Sequence, residues 1–239
     1  MPYYINCIGC PITDFSLQAG RDFFISEYIN ATTAQHGGGG GVGGEIFAGL
    51  FADRAGGAPS GCRNESGYLL GHRLVFQELQ ARMAEAKPPG SLGSLVVTNN
   101  VVYPGVSGTM LEGFRANETQ LIAHRNAALS GGGHRLVLVH AGYATDGSDA
   151  HCHNITNALA AFLVSAGPGS RFGCSRGWEL GTGWLTDHAA YHRPLGVPRQ
   201  ARATVSPDGV WRREFASGVV AVFDTRTGAG EIEWAALWW

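Results

Sequence analysis

The stretch "EIFAGLFADRAGG", residues 45–57, decides the fold class, because an apolar run ends there on an aspartate. Apolar residues bounded by glycines are typical of a strand that is buried on both faces, as in a parallel sheet covered by helices. A carboxylate at the end of such a strand either begins a turn or projects into a cleft. The rest of the chain has to decide between these two interpretations of Asp53.

Strand-like and helix-like segments alternate on both sides of this stretch. The predicted helices cover residues 21–35, 68–86, 118–129 and 154–167. The predicted strands are "YYINC" (3–7), "IFAGLFAD" (46–53), "SLVVTNN" (94–100), "TMLEGF" (109–114), "HRLVLVHAG" (134–142) and "RFGCS" (171–175). Alternation of this kind favours an α/β architecture with a parallel sheet. The main domain is predicted over residues 1–198.

The sequence pattern changes after residue 198 to short apolar segments separated by turn residues. The segments "ARATV", "VWRREFASG", "VVAVFDT" and "EIEWAALWW" have the composition of short strands, and the turn sequences "SPDG", "SG" and "TGAG" separate them. Strands joined by such turns pair antiparallel. Residues 199–239 are therefore predicted to form a small β appendage packed on the main domain.

Composition excludes several classes of partner. The chain has 239 residues, a hydrophobic content of 44% and a formal net charge of −2. Without a basic run, a nucleic-acid or anionic-membrane partner is not expected, and no apolar segment has the length of a membrane span.

No signal peptide is visible, but four N-x-[ST] sequons begin at Asn30, Asn64, Asn117 and Asn154. These sequons indicate a secretory history.

The cysteines predict no metal site. The pair "CIGC", residues 7–10, has no second C-x-x-C for a four-thiolate zinc site, and "HCH", residues 151–153, is predicted to be a surface loop. The five cysteines are Cys7, Cys10, Cys62, Cys152 and Cys174. Export would allow one or two disulfides among them, and two would leave one thiol over.

Polar residues end several of the predicted strands. Glu112 ends an apolar run as Asp53 does, and Asn6, Asn99 and Tyr143 end three other strands. The carboxyl ends of the strands of a parallel barrel lie on one side, where active sites are built. Of two carboxyl groups beside a glycosidic bond, one can protonate the leaving oxygen while the other, ionised, attacks the sugar or activates a water. Trp178 comes late in the predicted main domain, where it would serve either as a platform for a sugar ring or in core packing.

Several motifs together carry a family resemblance. The segments "GLFADRAG", "LVVTNN", "GTMLEGF", "YHRPLGVP" and "WRREFASGVVAVFD" follow, in this order, the pattern of glycoside hydrolases with a TIM-barrel fold, which the chain resembles. The resemblance implies that Asp53 is the nucleophile or base and that Glu112 is the acid/base, although these roles could be exchanged. The chain departs from the family pattern at Arg54 and at Asp224-Thr225.

The resemblance also predicts an incomplete (β/α)8 barrel, because about six strands are found where a closed barrel has eight. Met1 falls immediately before the third strand of the pattern. A two-carboxylate mechanism needs neither a metal nor an organic cofactor. The rival hypothesis is a non-catalytic carbohydrate-binding protein or a degenerate structural relative, in which the barrel persists and the two acids no longer cooperate.

Overall fold

The computed structural model of the chain describes most of its residues. These are residues 4–7, 10–13, 15–34, 49–52, 64–85, 95–114, 116–129, 136–142, 152, 155–175 and 187–235.

The described residues contain four α-helices and eleven strands. The helices are α1 (Gln18–Ala34), α2 (Glu65–Glu85), α3 (Glu118–Leu129) and α4 (Thr156–Ser165), and a short 3₁₀ helix covers Ala189–His192. The strands are β1 (Tyr4–Cys7), β2 (Cys10–Thr13), β3 (Gly49–Ala52), β4 (Leu95–Asn99), β5 (Gly108–Glu112), β6 (Leu136–Ala141), β7 (Ser170–Cys174), β8 (Thr204–Val205), β9 (Val210–Glu214), β10 (Val220–Asp224) and β11 (Ala229–Glu233). Each of the four predicted helices is found.

The principal sheet has five parallel strands in the order β3-β4-β5-β6-β7. The strands β8 to β11 form a four-stranded antiparallel sheet in the order β11-β10-β9-β8. The α/β class and the antiparallel sheet at the C-terminal end are therefore confirmed. A barrel is not shown, since β3 and β7 stand at the two ends of the strand order among the described residues.

The first predicted strand does not join the principal sheet. Instead, β1 pairs antiparallel with β2, and Cys7 lies opposite Cys10. Only Ile8 and Gly9 separate the two strands in the sequence. A two-residue link joins antiparallel neighbours, whereas a parallel pair needs a long crossover.

The chain divides into two compact units, Met1–Thr109 and Met110–Trp239. The predicted boundary at residue 198 lies inside the second unit, and the division into barrel and appendage stays a prediction. In the first unit, α1 and α2 are joined by an ion pair between Arg21 Nε and Glu78 Oε1 at 3.0 Å. The apolar core of that unit includes Val75, Leu79 and Val96.

The second unit is built around α4. This helix is apolar on all sides, and it buries residues Leu159 to Ser165, as its sequence predicts. The C-terminal sheet packs on it at Gly230, where an added Cβ would lie 2.8 Å from the Cβ of Ala160. The buried Arg213 of β9 also donates to the carbonyl oxygens of Leu163 and Ala166 at the end of α4. These carbonyls have no partner within the helix, so the guanidinium satisfies them.

His124 of α3 is fully buried in the second unit and is held by two serines. Its Nδ1 lies 2.7 Å from Ser165 Oγ, and its Nε2 lies 2.9 Å from Ser170 Oγ. Ser165 Oγ donates to the carbonyl of Ala161, so it accepts from Nδ1–H. Ser170 Oγ accepts from the Gly167 amide, so its own proton points to Nε2. The network therefore suits the neutral imidazole.

Burial lowers the pKa of His124 from its usual 6.5 to about 3, and the positive charge of Arg213 acts in the same direction. Because the unfolded chain takes up this proton near pH 6.5 while the folded chain does not, acid favours unfolding. We expect His124 to remove about 2 kcal/mol from the free energy of unfolding between pH 7 and pH 5. The loss should continue down to about pH 3.

Urea unfolding at several pH values measures this loss. The His124→Gln variant should lose about 2 kcal/mol less than the wild type between pH 7 and pH 5. A matched control is His192→Gln, because His192 is exposed and pairs with Asp187 at 2.7 Å on the surface. Equal acid destabilisation of the wild type and the His124→Gln variant would contradict the prediction.

Candidate active site

Glu112 is the last residue of β5 and is half-buried. Gly113 follows it with a φ of 65°, a conformation that suits glycine. The backbone beyond the turn is held on two sides. The Phe114 amide donates to the carbonyl of His140 at 3.0 Å, and Gln120 Nε2 donates to the carbonyl of Gly113 at 3.2 Å. The carboxylate therefore projects from a firmly held strand end, with part of its surface accessible.

His140 lies at the carboxyl end of β6 and is buried. Its Nε2 is 2.6 Å from the hydroxyl of Ser175, which follows β7 directly. The Ser175 amide in turn donates to the carbonyl of Ala141 at 3.2 Å. Burial lowers the pKa of His140, and the negative charge of Glu112 opposes that shift to a smaller degree. The imidazole is therefore neutral at pH 7, and its electrostatic environment includes the Glu112 carboxylate.

A disulfide closes the same end of the second unit. Cys174, the last residue of β7, is bonded to Cys152, and both are buried. An added Cβ at Gly142, whose φ is 86°, would lie only 2.3 Å from Cys152 Sγ, so this position after β6 requires glycine. The prediction that "HCH" is a surface loop is therefore wrong for Cys152, which is buried. His151 and His153 lie outside the described residues.

In the first unit, Asn99 is the last residue of β4, and only 5% of it is exposed. The turn that follows has Asn100 at a φ of 55°. The hydroxyls of Thr98 and Thr109 both donate to the Val101 carbonyl, each at 2.7 Å, and so hold this turn. Asn99 is therefore positioned at a strand end, as its sequence predicts.

The remaining predicted residues lie where side chains are not described. Asp53 directly follows β3 but lies outside the described residues, as do Tyr143 and Trp178. Asn6 lies in β1, where only the backbone is described. Their roles stay predictions.

Sequence reasoning did not select His140 and Ser175, because a histidine or serine in a strand is usually a core or turn residue. A signal was nevertheless present, since "LVLVHAG" and "RFGCS" place them at the ends of neighbouring predicted strands. Their mutual distance depends on the parallel register of β6 and β7, in which Ala141 lies opposite Cys174.

A groove of about 520 Å³ lies elsewhere, in the first unit between α1 and α2. Its lining includes Phe23, Ile25 and Ile29 and the ion pair of Asp22 with Arg82, at 3.8 Å. Neither Glu112 nor Asn99, the two predicted site residues whose side chains are described, lines this groove. Elsewhere among the described residues, no three His, Cys, Asp or Glu side chains cluster as metal ligands would. No described helix has the length and apolarity needed to cross a membrane.

Comparison with known families decides the class of the protein. The family described as hypothetical glycosyl hydrolase family 15 matches residues 50–219. The chain belongs to that family. The matched region contains both Asp53 and Glu112 and extends through β9. No curated protein matches the chain. The description of hypothetical glycosyl hydrolase family 15 implies, at family level, hydrolysis of a carbohydrate substrate.

Proposed function

We propose that this protein hydrolyses glycosidic bonds in a polysaccharide or glycoconjugate. The observation that carries the proposal is the family match over residues 50–219. The half-buried carboxylate of Glu112, at the end of a parallel strand, supports it. Residues at such strand ends are the common source of catalytic groups in α/β enzymes.

In the proposed mechanism, Glu112 is the acid/base and Asp53 is the nucleophile or base. Glu112 gives its proton to the oxygen of the leaving group as the bond from that oxygen to the anomeric carbon breaks. Asp53 either attacks the anomeric carbon or removes a proton from an attacking water. Two observations support these roles: Asp53 directly follows β3 in the sequence, and Glu112 is the last residue of β5.

His140 is proposed as a positioning residue for Glu112. Its ring is oriented by the 2.6 Å hydrogen bond to Ser175, and burial keeps it uncharged at neutral pH. Such a neighbour supplies a polar group beside the carboxylate without adding a second charge. Preorganised polar groups of this kind need little rearrangement during the reaction.

The remaining assignments follow the sequence. Asn6, Asn99 and Tyr143 are proposed to hydrogen-bond sugar hydroxyls, and Trp178 is proposed to stack on a sugar ring. The principal sheet is proposed to be part of an incomplete barrel, of which residues 1–198 form the catalytic domain.

A glycan panel tests the function. The full chain is incubated with polysaccharides and oligosaccharides of varied linkage, and newly formed reducing ends are measured. We expect at least one substrate to be cleaved by the wild type and by the control Asp208→Asn, whose aspartate is exposed in the β8–β9 turn. The Asp53→Asn variant should not cleave the same substrate. Glycan binding without cleavage, or cleavage that survives Asp53→Asn, would contradict the proposed mechanism.

A further inference from the structure

Two of the four sequon asparagines are exposed at helix starts. Asn64 lies immediately before α2, and its Oδ1 accepts the Gly67 amide at 3.0 Å. Asn117 lies immediately before α3, and its Oδ1 accepts the Gln120 amide at 3.0 Å. The hydroxyl residues of the two sequons, Ser66 and Thr119, are exposed as well. Both sequons therefore have the same local geometry on the surface.

This geometry is compatible with a glycan on either asparagine. The helix cap uses Oδ1, whereas a sugar in N-linkage is attached to Nδ2, so the cap bond can persist after modification. At Asn64 the cap also requires a glycine in the first helical turn, because a Cβ on Gly67 would lie 2.3 Å from Asn64 Nδ2 and clash with it. A glycine at this place keeps the amide nitrogen clear of a side chain.

The disulfide provides an independent observation about the compartment. Cys152 and Cys174 are joined across 22 residues of sequence, and the bond is buried in the second unit. Disulfides form and persist in oxidising compartments and are rare in the cytosol. In secreted proteins, N-x-[ST] sequons on surface loops are the acceptors of N-linked glycans. The disulfide and the sequons therefore point to the same cellular route.

We propose that the protein passes through an oxidising secretory compartment and carries N-linked glycans at Asn64 and Asn117. In the transfer step, the amide nitrogen attacks the anomeric carbon of an oligosaccharide carried on a lipid diphosphate. The new bond joins Nδ2 to that carbon, the bond from the carbon to the diphosphate oxygen breaks, and the amide loses one proton. The transfer precedes folding, and the folded chain then holds both glycans in solvent. This modification does not depend on the proposed function.

Mass spectrometry of the protein isolated from its native cells tests the proposal. Peptide N-glycosidase in heavy-oxygen water converts a glycosylated asparagine to aspartate that carries the heavy isotope. We expect this label at Asn64 and at Asn117, together with a non-reduced peptide that links Cys152 to Cys174. An unmodified amide at either asparagine would overturn the glycosylation assigned to that position. Free thiols at both cysteines would overturn the assignment of the protein to an oxidising compartment.

Two variants separate the glycan from the helix cap. Ser66→Ala and Thr119→Ala remove the hydroxyl that the sequon requires but leave the capping asparagine in place. Each should remove one glycan, seen as one step of increased mobility in electrophoresis, whereas Thr119→Ser should retain it. Persistence of the label at Asn117 in the Thr119→Ala protein would overturn sequon-directed transfer.

Discussion

Replacement of Glu112 by glutamine is expected to lower the turnover of the cleaved glycan by about 10²–10⁴-fold, the usual contribution of a general acid or base. Glutamine keeps the size and polarity of the side chain but cannot give a proton to the leaving oxygen. The half-buried position of Glu112 and the hydrogen bonds that hold its turn suggest that the fold will tolerate this change. Initial rates of reducing-end release measure the effect.

The identity of the leaving group distinguishes the role of Glu112. A nitrophenyl leaving group hardly needs protonation, so the Glu112→Gln protein should retain much more of its activity on an aryl glycoside than on an oligosaccharide. Glu231→Gln is the matched control, because Glu231 is exposed on β11 and its loss should leave turnover unchanged. An equal loss on both substrates would assign Glu112 to the nucleophile instead. Unchanged turnover would remove Glu112 from the mechanism.

Replacement of Phe223 by alanine is expected to lower the free energy of unfolding by about 3–5 kcal/mol. Phe223 is fully buried on β10, the strand between β9 and β11, and lies opposite Trp211 of β9. Removal of the ring would leave a cavity in the core between the C-terminal sheet and α4, where Gly230 closely approaches the helix.

Urea unfolding followed by tryptophan fluorescence measures this change. The control is Val222→Thr, which changes the neighbouring, half-buried residue of the same strand and keeps the β-branched shape that strands favour. We expect it to cost about 1 kcal/mol or less. A loss of stability at Phe223 no greater than that at Val222 would show that the C-terminal sheet does not share the core of the second unit.

Local pattern alone allowed most of the secondary structure to be predicted. The four helices lie close to their predicted ranges, because apolar spacing and the Pro and Gly residues that end helices act over a few residues. The same holds for β9 to β11, whose turn sequences mark where each strand ends. Glu112 and Asn99 were also located correctly at strand ends, since the end of an apolar run is a local signal.

The placement of β1 shows the limit of this reasoning. Its sequence is that of a strand, and it is a strand, but its partner is β2 and not the principal sheet. Pairing depends on the length of the connection and on the competing edges available to the chain, neither of which is contained in the apolar pattern of the strand itself.

The sequence by itself determined the α/β class, the helices, the antiparallel sheet at the C-terminal end and the strand-end positions of Asn99 and Glu112. Only the tertiary structure decided that Cys152 pairs with Cys174 among five cysteines and that His140 meets Ser175. The physical reason is the range of the forces involved. Periodicity and turn preference act between near neighbours in sequence, whereas these contacts exist only once the fold has brought together residues that lie 22 and 35 positions apart.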